Sequence, residues 1–407
     1  MDEAYIIPNA EKIIEERMAP ERRTFLQLLV FSSGLFAVQT FWGFNSATFP
    51  LYLNELTGSK TLTGLALSIG GVFGAVMPVI VGGFSDRTHT RWGKRKPFIL
   101  AGWVTVLLSL ALLYMTTSIG AAMLLSLFLY AGFFTAIGPY FALLPDLTPP
   151  GQRGIAAGMM FLMGGVGILS FMFFGARNWD TARHLPFVWA AMGISVSAGV
   201  MIVGTREPPA GAPSVFAEGL LGEAFRNRPV LIFLAAMTSW WTGLWMVMVF
   251  FVIAVRDMLH VDTGDAVIKL LFLIAVYVAC ALPAGMMGDR LGHRRVTAAG
   301  LVVLALSMAI MGFTRSVSLV WILLFFAGGG YAVVLTVAYT YYLRLIPADR
   351  TAGYMGLYMA CQNGALLAGP AAAGLVIDTM GPRAMFICAA GFIAAGLALF
   401  VIRKPRQ

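Results

Sequence analysis

Twelve runs of about 20 mostly apolar residues, separated by short clusters of charge, leave this chain few ways to fold. A hydrocarbon core about 30 Å thick requires about 20 residues of helix to cross it. Inside that core every backbone N–H and C=O has to be paired within the protein. The runs fall at about 25–45, 62–84, 98–115, 119–142, 155–174 and 186–204, then at about 230–253, 267–287, 297–313, 317–343, 353–376 and 384–402. Only 12% of the 407 residues are charged and 59% are apolar, aromatic or Cys, whereas a soluble domain carries about a quarter charged residues. The expected fold is an all-α membrane protein of twelve transmembrane helices. Many of its 45 glycines lie inside the apolar runs, where they let helices approach closely in lipid.

A polar stretch rich in Pro, from 205 to 229, separates the sixth run from the seventh. It reads as a linker, and it divides the chain into an N-terminal segment (1–24), a six-helix bundle (25–204), the linker (205–229), a second six-helix bundle (230–402) and a tail (403–407). Threading the chain with its N-terminus inside puts 21 Lys and Arg on the inner side and 7 on the outer. That bias predicts cytoplasmic termini in an inner or plasma membrane. The net charge of +9 is then a matter of orientation, and no nucleic-acid partner is expected.

The two bundles repeat each other. Gly82-Gly83-Phe84-Ser85-Asp86-Arg87 ends the second run, and Gly285-Met286-Met287-Gly288-Asp289-Arg290 ends the eighth, with Asp86 and Asp289 203 positions apart. Arg153 before the fifth run and Arg350 before the eleventh are 197 apart. Two landmarks at nearly one spacing argue for a duplicated unit, related by an axis along the membrane normal.

The second of these loops, Gly285-x-x-x-Asp289-Arg290-x-Gly292-His293-Arg294-Arg295, resembles the signature loop of the major facilitator superfamily. The first is longer. Ser85-Asp86-Arg87-Thr88-His89-Thr90-Arg91-Trp92-Gly93-Lys94-Arg95-Lys96-Pro97-Phe98, together with Ala142-Leu143-Leu144-Pro145-Asp146-Leu147, resembles the glycoside–cation symporters and sucrose-type carriers. The resemblance implies two pseudo-symmetric six-helix bundles rocking about a central site. It also implies cytoplasmic latches in the outward-open state: Asp86 and Arg87 against Arg153 and the start of span 11, and Asp289 and Arg290 against Arg350 and the start of span 5. A helix N-terminus carries unpaired N–H groups and partial positive charge, which suits a carboxylate. Each latch has to be modest, on the order of 1–3 kcal/mol, for the cycle to turn.

An ionisable residue deep in a span is functional by default, but no Asp or Glu lies in the middle of any run. The family's usual acidic residues are missing from span 4, which puts coupling to a proton or sodium ion in doubt. Neutral and aromatic groups remain for a solute. Gln39, Asn45, Trp241, Thr336, Gln362 and Asn363 are the candidate binding residues, beside Trp42, Trp240, Trp245, Tyr331 and Tyr339. Amides offer paired donors and acceptors to hydroxyl groups, and aromatic rings stack on apolar faces. Cys280, Cys361 and Cys388 read as small core residues. The four His are scattered over loops, and no phosphate-binding loop is present, so no metal site, cofactor or enzyme activity is expected. The expected activity is transport of a small polar organic solute, a sugar or glycoside in preference, by a monomer in the bilayer. The alternatives left open are an exporter of amphipathic, drug-like compounds and a non-transporting assembly or pigment-delivery factor.

Overall fold

The computed structural model describes residues 22–88, 90–207, 227–347 and 351–402. Twelve helices in it are long and apolar enough to cross a membrane. They are α1 (Phe25–Thr57), α2 (Lys60–Arg87), α3 (Lys96–Met115), α4 (Ile119–Leu147), α5 (Arg153–Asn178) and α6 (His184–Gly204), followed by α7 (Arg228–Leu259), α8 (Thr263–Leu291), α9 (His293–Phe313), α10 (Val317–Leu343), α11 (Thr351–Met380) and α12 (Pro382–Ile402). Most of the polar stretch, 208–226, and the tail, 403–407, lie outside the described residues.

The helices start where the sequence offers a side-chain cap. Thr24 and Gln27 form a reciprocal capping box at α1. Ser59, Ser118, Asn227, Asp262 and Ser316 each accept a first-turn N–H, at α2, α4, α7, α8 and α10 respectively. Two helices run further than the apolar runs foretell. Helix α1 passes through a wide five-residue turn, Phe44–Thr48, and continues over Asn54 and Glu55 to Thr57. Helix α5 is widened in the same way at Phe171–Gly175. Their last turns are polar, so hydropathy ends before the helix does.

The two halves pack alike. In the first, α1 lies against α5 and α6, α4 against α2 and α3, and α3 against α6. In the second, α7 lies against α11 and α12, α10 against α8 and α9, and α9 against α12. Each pair in one half has its counterpart six helices later, as duplication requires. Large apolar side chains such as Leu108, Phe161, Val203, Leu282 and Phe313 stay exposed and form the lipid-facing belt of an integral membrane protein.

The halves meet along α2 with α11, along α1 with α7, and where the end of α5 meets the start of α8. Both described chain ends, at α1 and α12, lie on one face of the bundle, here the terminal face; the opposite face is the far face. Towards the far face α2 and α11 touch backbone to backbone. A side chain at Gly64 would overlap the Pro370 carbonyl, one at Gly71 the Leu367 backbone, and one at Gly374 the Lys60 carbonyl. The same helix faces continue to Gly82 on α2 and Gly356 on α11, where a Cβ would meet nothing within 4 Å. The helices therefore diverge towards the terminal face. Among the described residues, contact between the halves is thus gathered towards the far face.

Candidate functional site

Where the halves meet at mid-depth, aromatic rings take over from glycine. Trp42 on α1 and Trp245 on α7 face each other across the divide, with ring centroids 5.4 Å apart. Trp42 sits edge-on to Phe133 of α4 at 5.3 Å, and Phe133 stacks on Phe41 at 3.8 Å. From Trp245 the wall continues to Trp241 at 6.0 Å, then to Tyr331 of α10 at 6.3 Å and Tyr277 of α8 at 5.2 Å. Tyr339 and Tyr358 meet on the α10–α11 side at 5.6 Å.

The polar tips of this wall are available. Among the described residues, the indole N–H of Trp245 and the hydroxyls of Tyr277, Tyr331 and Tyr339 have no hydrogen-bond partner. Of these, the Trp245 indole N–H is fully buried, and a buried polar group requires a partner. No acidic or basic side chain among the described residues lies at this depth. Those within the spans sit towards helix ends, for example Glu55, Asp146, Asp265, Lys269, Asp289 and Asp378.

The sequence candidates divide on this frame. Trp241 belongs to the wall, 3% exposed. Gln39 is half-buried and packs against α5 at Gly164; its amide has no hydrogen-bond partner among the described residues. Gln362 is likewise half-buried on α11. The Thr336 hydroxyl donates to the Ala332 carbonyl at 2.7 Å within its own helix. The two asparagines are committed elsewhere. Asn45 is buried, and its Oδ1 accepts from the Tyr130 hydroxyl at 2.6 Å. Asn363 donates to the Gly74 carbonyl at 3.0 Å and to Met359 at 2.9 Å, so it ties α11 to α2. Trp240 packs between Phe233 and Phe400, away from the wall. Sequence reasoning did not find Phe133, Tyr277 and Tyr358. Their sole signal was an aromatic inside an apolar run, which does not distinguish a wall residue from a packing one.

On the terminal face the loops fold back on their own halves. Arg95 Nε donates to Asp146 at 2.7 Å, and Lys94 lies 3.7 Å from the same carboxylate. This brings together the two sequence stretches that carry the sucrose-type resemblance. Glu207 accepts from the backbone N–H of Arg95 and Lys96, and Lys96 Nζ donates to the Thr205 carbonyl. Gly93 (φ 107°) and Gly292 (φ 91°) turn the chain at the same place in each half, in a region that costs glycine little.

The family model described as Major Facilitator Superfamily matches residues 31–276 and 266–407. The chain belongs to the Major Facilitator Superfamily. The sucrose transport protein SUT1 of Oryza sativa subsp. japonica is 34% identical over 93 residues, which cover 22% of this chain and 17% of that protein. Proton-associated sugar transporter A of Homo sapiens is 24% identical over 217 residues, 47% of this chain and 29% of that protein. The matched stretches thus span less than a third of these relatives' own length. Among solved structures, nucleoside transporter NupG superposes with a TM-score of 0.75 at 15% identity, over 93% of this chain and 99% of that one. A bacterial homolog of the human lysosomal transporter Spinster, inward-facing and occupied, gives a TM-score of 0.72 at 16% identity over 93% and 95%.

Of the residues in and facing the Asp-Arg loops, Asp289 and Arg153 have described partners inside their own halves. Asp289 is exposed and pairs within its own half, with His293 at 3.4 Å and Arg344 at 3.8 Å. Arg290 is exposed. Arg153 reaches the Thr148 and Pro145 carbonyls at the end of α4, both at 3.4 Å. The end of α2 carries Arg87, while the side chain of Asp86 and the whole of Arg350 lie outside the described residues.

Proposed function

We propose that this superfamily member carries a small polar organic solute, a sugar or glycoside in preference, through the membrane by alternating access. Its termini are cytoplasmic and the state described here is inward-open. The observation that carries the reading is the Trp42–Trp245 contact. It places stacking surfaces from both halves at the meeting point of two repeats, beside unpaired tyrosine hydroxyls and an unpaired indole N–H. Flat apolar faces with hydroxyl groups around the rim are the shape of a pyranose, and rings with polar tips complement both parts. The Arg95–Asp146 contact and the names of the sucrose and sugar relatives favour the same solute class. The superfamily latches assigned to Asp86, Arg87, Arg153, Asp289, Arg290 and Arg350 belong to the outward-open state, and the pairing of Asp289 and Arg153 within their own halves fits the inward-open reading.

Uptake of radiolabelled mono- and disaccharides into proteoliposomes tests the reading. Saturable uptake that Trp42→Ala and Trp245→Ala each reduce at least tenfold is expected. A flat response to every sugar, together with export of lipophilic cations, would transfer the site to amphipathic compounds.

A further inference from the structure

The far face is closed by two carboxylates that reach across from one half to cap a helix of the other. On α11, Asp378 accepts four hydrogen bonds from the start of α2: Lys60 N–H at 3.2 Å, Thr61 N–H at 2.8 Å, Thr61 Oγ1 at 2.7 Å and Ser59 Oγ at 3.0 Å. After α5, Asp180 accepts two from the start of α8: Thr263 N–H at 2.9 Å and Thr263 Oγ1 at 2.8 Å. Each carboxylate satisfies first-turn N–H groups that have no partner inside their own helix, at the positive end of that helix.

The two arrangements are one device repeated. Lys60 and Thr263, the first residues of α2 and α8, are 203 positions apart, and Asp180 and Asp378 are 198 apart. The first offset equals that of Asp86 and Asp289 at the opposite ends of α2 and α8, and the second is within one of the 197 between Arg153 and Arg350 at the opposite ends of α5 and α11. Backbone contact accompanies each cap. Gly374 lies against the Lys60 carbonyl, and Gly264 against that of Arg177, where an added Cβ would come within 2.9 Å. A further bridge, Lys60 to Asp257 at 3.6 Å, joins α2 to the end of α7.

We propose that Asp180 and Asp378 are the paired far-side gate residues of the transport cycle. Each holds the inward-open state by capping a helix of the opposite half, and both caps release when the far side opens. The superfamily loops latch the terminal face in one state; these aspartates latch the far face in the other. Both carboxylates are exposed, so water competes for them and each latch stays weak enough to open. The inference rests on alternating access and is independent of the solute.

Two cysteine probes test it, in a background where Cys280, Cys361 and Cys388 are serine. Ser68→Cys sits on the sealed α2–α11 face, where Ser68 is 3% exposed. Gly356→Cys sits where the same interface is open. A charged thiol reagent is applied from outside to the first and from inside, in inverted vesicles, to the second. Asp378→Ala and Asp180→Ala should each raise labelling at Ser68→Cys about tenfold and lower it at Gly356→Cys, within the range of ordinary coupling between sites. Asp378→Asn keeps one acceptor and should fall between wild type and Asp378→Ala. Asp262→Ala is the control, because Asp262 caps the same α8 start from within its own half, through Asp265 N–H at 2.6 Å. It should leave both rates unchanged. Unchanged rates in the Asp180 and Asp378 variants, a rise at both probes, or an equal shift from Asp262→Ala would overturn the proposal. Absent sugar flux with a normal reciprocal shift would overturn only the choice of solute.

Discussion

Tyr130 and Tyr331 carry the same hydroxyl into different roles. Tyr130 is fully buried and donates to Asn45, whose Oδ1 has no other partner among the described residues. Tyr130→Phe leaves a buried acceptor unsatisfied, which costs about 1–3 kcal/mol. A lower melting temperature in detergent is expected, with the solute affinity of the surviving protein little changed. Tyr331 makes no hydrogen bond to the described protein, so Tyr331→Phe should leave the melting temperature alone. Its loss should instead raise KM for a hydroxylated solute about two- to tenfold, the range for one hydrogen bond of 0.5–1.5 kcal/mol. The pair of variants separates packing from binding, and a melting shift at Tyr331→Phe with unchanged KM would remove it from the site. The sequence shows why such sorting needed coordinates. Gln39, Asn45 and Asn363 are all amides in apolar spans, and periodicity alone treats them alike. Asn45 faces Tyr130 across 85 positions, and Asn363 reaches a carbonyl 289 positions away. Local pattern carries no trace of either partner.

At the scale of elements, α2 and α11 are built to touch at one end and part at the other. Glycine at 64 and 71 permits the contact, because nothing larger than hydrogen clears the Pro370 and Leu367 backbones. Helices in lipid gain little from apolar burial, so close packing of this kind holds them together. Gly64→Leu should wedge the far face apart and favour the outward-open state. Faster labelling of Ser68→Cys from outside checks this, with the wedge persisting where the aspartate caps are intact. Gly82→Leu, in open space here, should spare the inward-open state and obstruct the opposite one, so transport falls while far-face labelling stays slow. Of these elements the twelve spans and the loop glycines were legible, because each leaves a mark within about 20 residues of chain, and the duplication was legible because its landmarks recur at 203 and 197 positions. The extra turns of α1 and α5 were not. Asn54, Glu55 and Asn178 look like loop residues to any hydropathy window, and they stay helical because tertiary contacts hold them, as in the Glu55 bond to Trp179 Nε1 at 3.0 Å.

For the whole molecule, the distribution of charge decides what can drive the cycle. Coupling to a cation needs a group that meets water on one side and then the other, changing its charge or ligation as the site does. The aromatic wall between the halves has no acid or base among the described residues. The deepest such pair is Lys269 with Asp265, 2.5 Å apart on one helix, with the ammonium fully buried over the Trp321 ring at 5.2 Å. Both groups belong to the second half, and each neutralises the other in place. Other described acids of the spans are held at helix ends, among them Glu55 by Arg183, Asp146 by Arg95 and Lys94, Asp257 by Lys60 and Arg256, Asp289 by His293 and Arg344, and Asp378 by the start of α2. With no carboxylate, ammonium or guanidinium at the meeting point among the described residues, the proposed cycle is driven by occupancy of the wall and by the balance of latches on the two faces. Uptake into proteoliposomes should therefore level off at the external solute concentration. An imposed proton or sodium gradient should leave that plateau where it is, while preloaded solute accelerates exchange from the opposite side. Accumulation above the external concentration under a proton gradient would refute this. It would then direct attention to Asp378 and Asp180, the acids whose partners change when the far side opens, and Asp378→Asn would have to abolish the accumulation while sparing exchange.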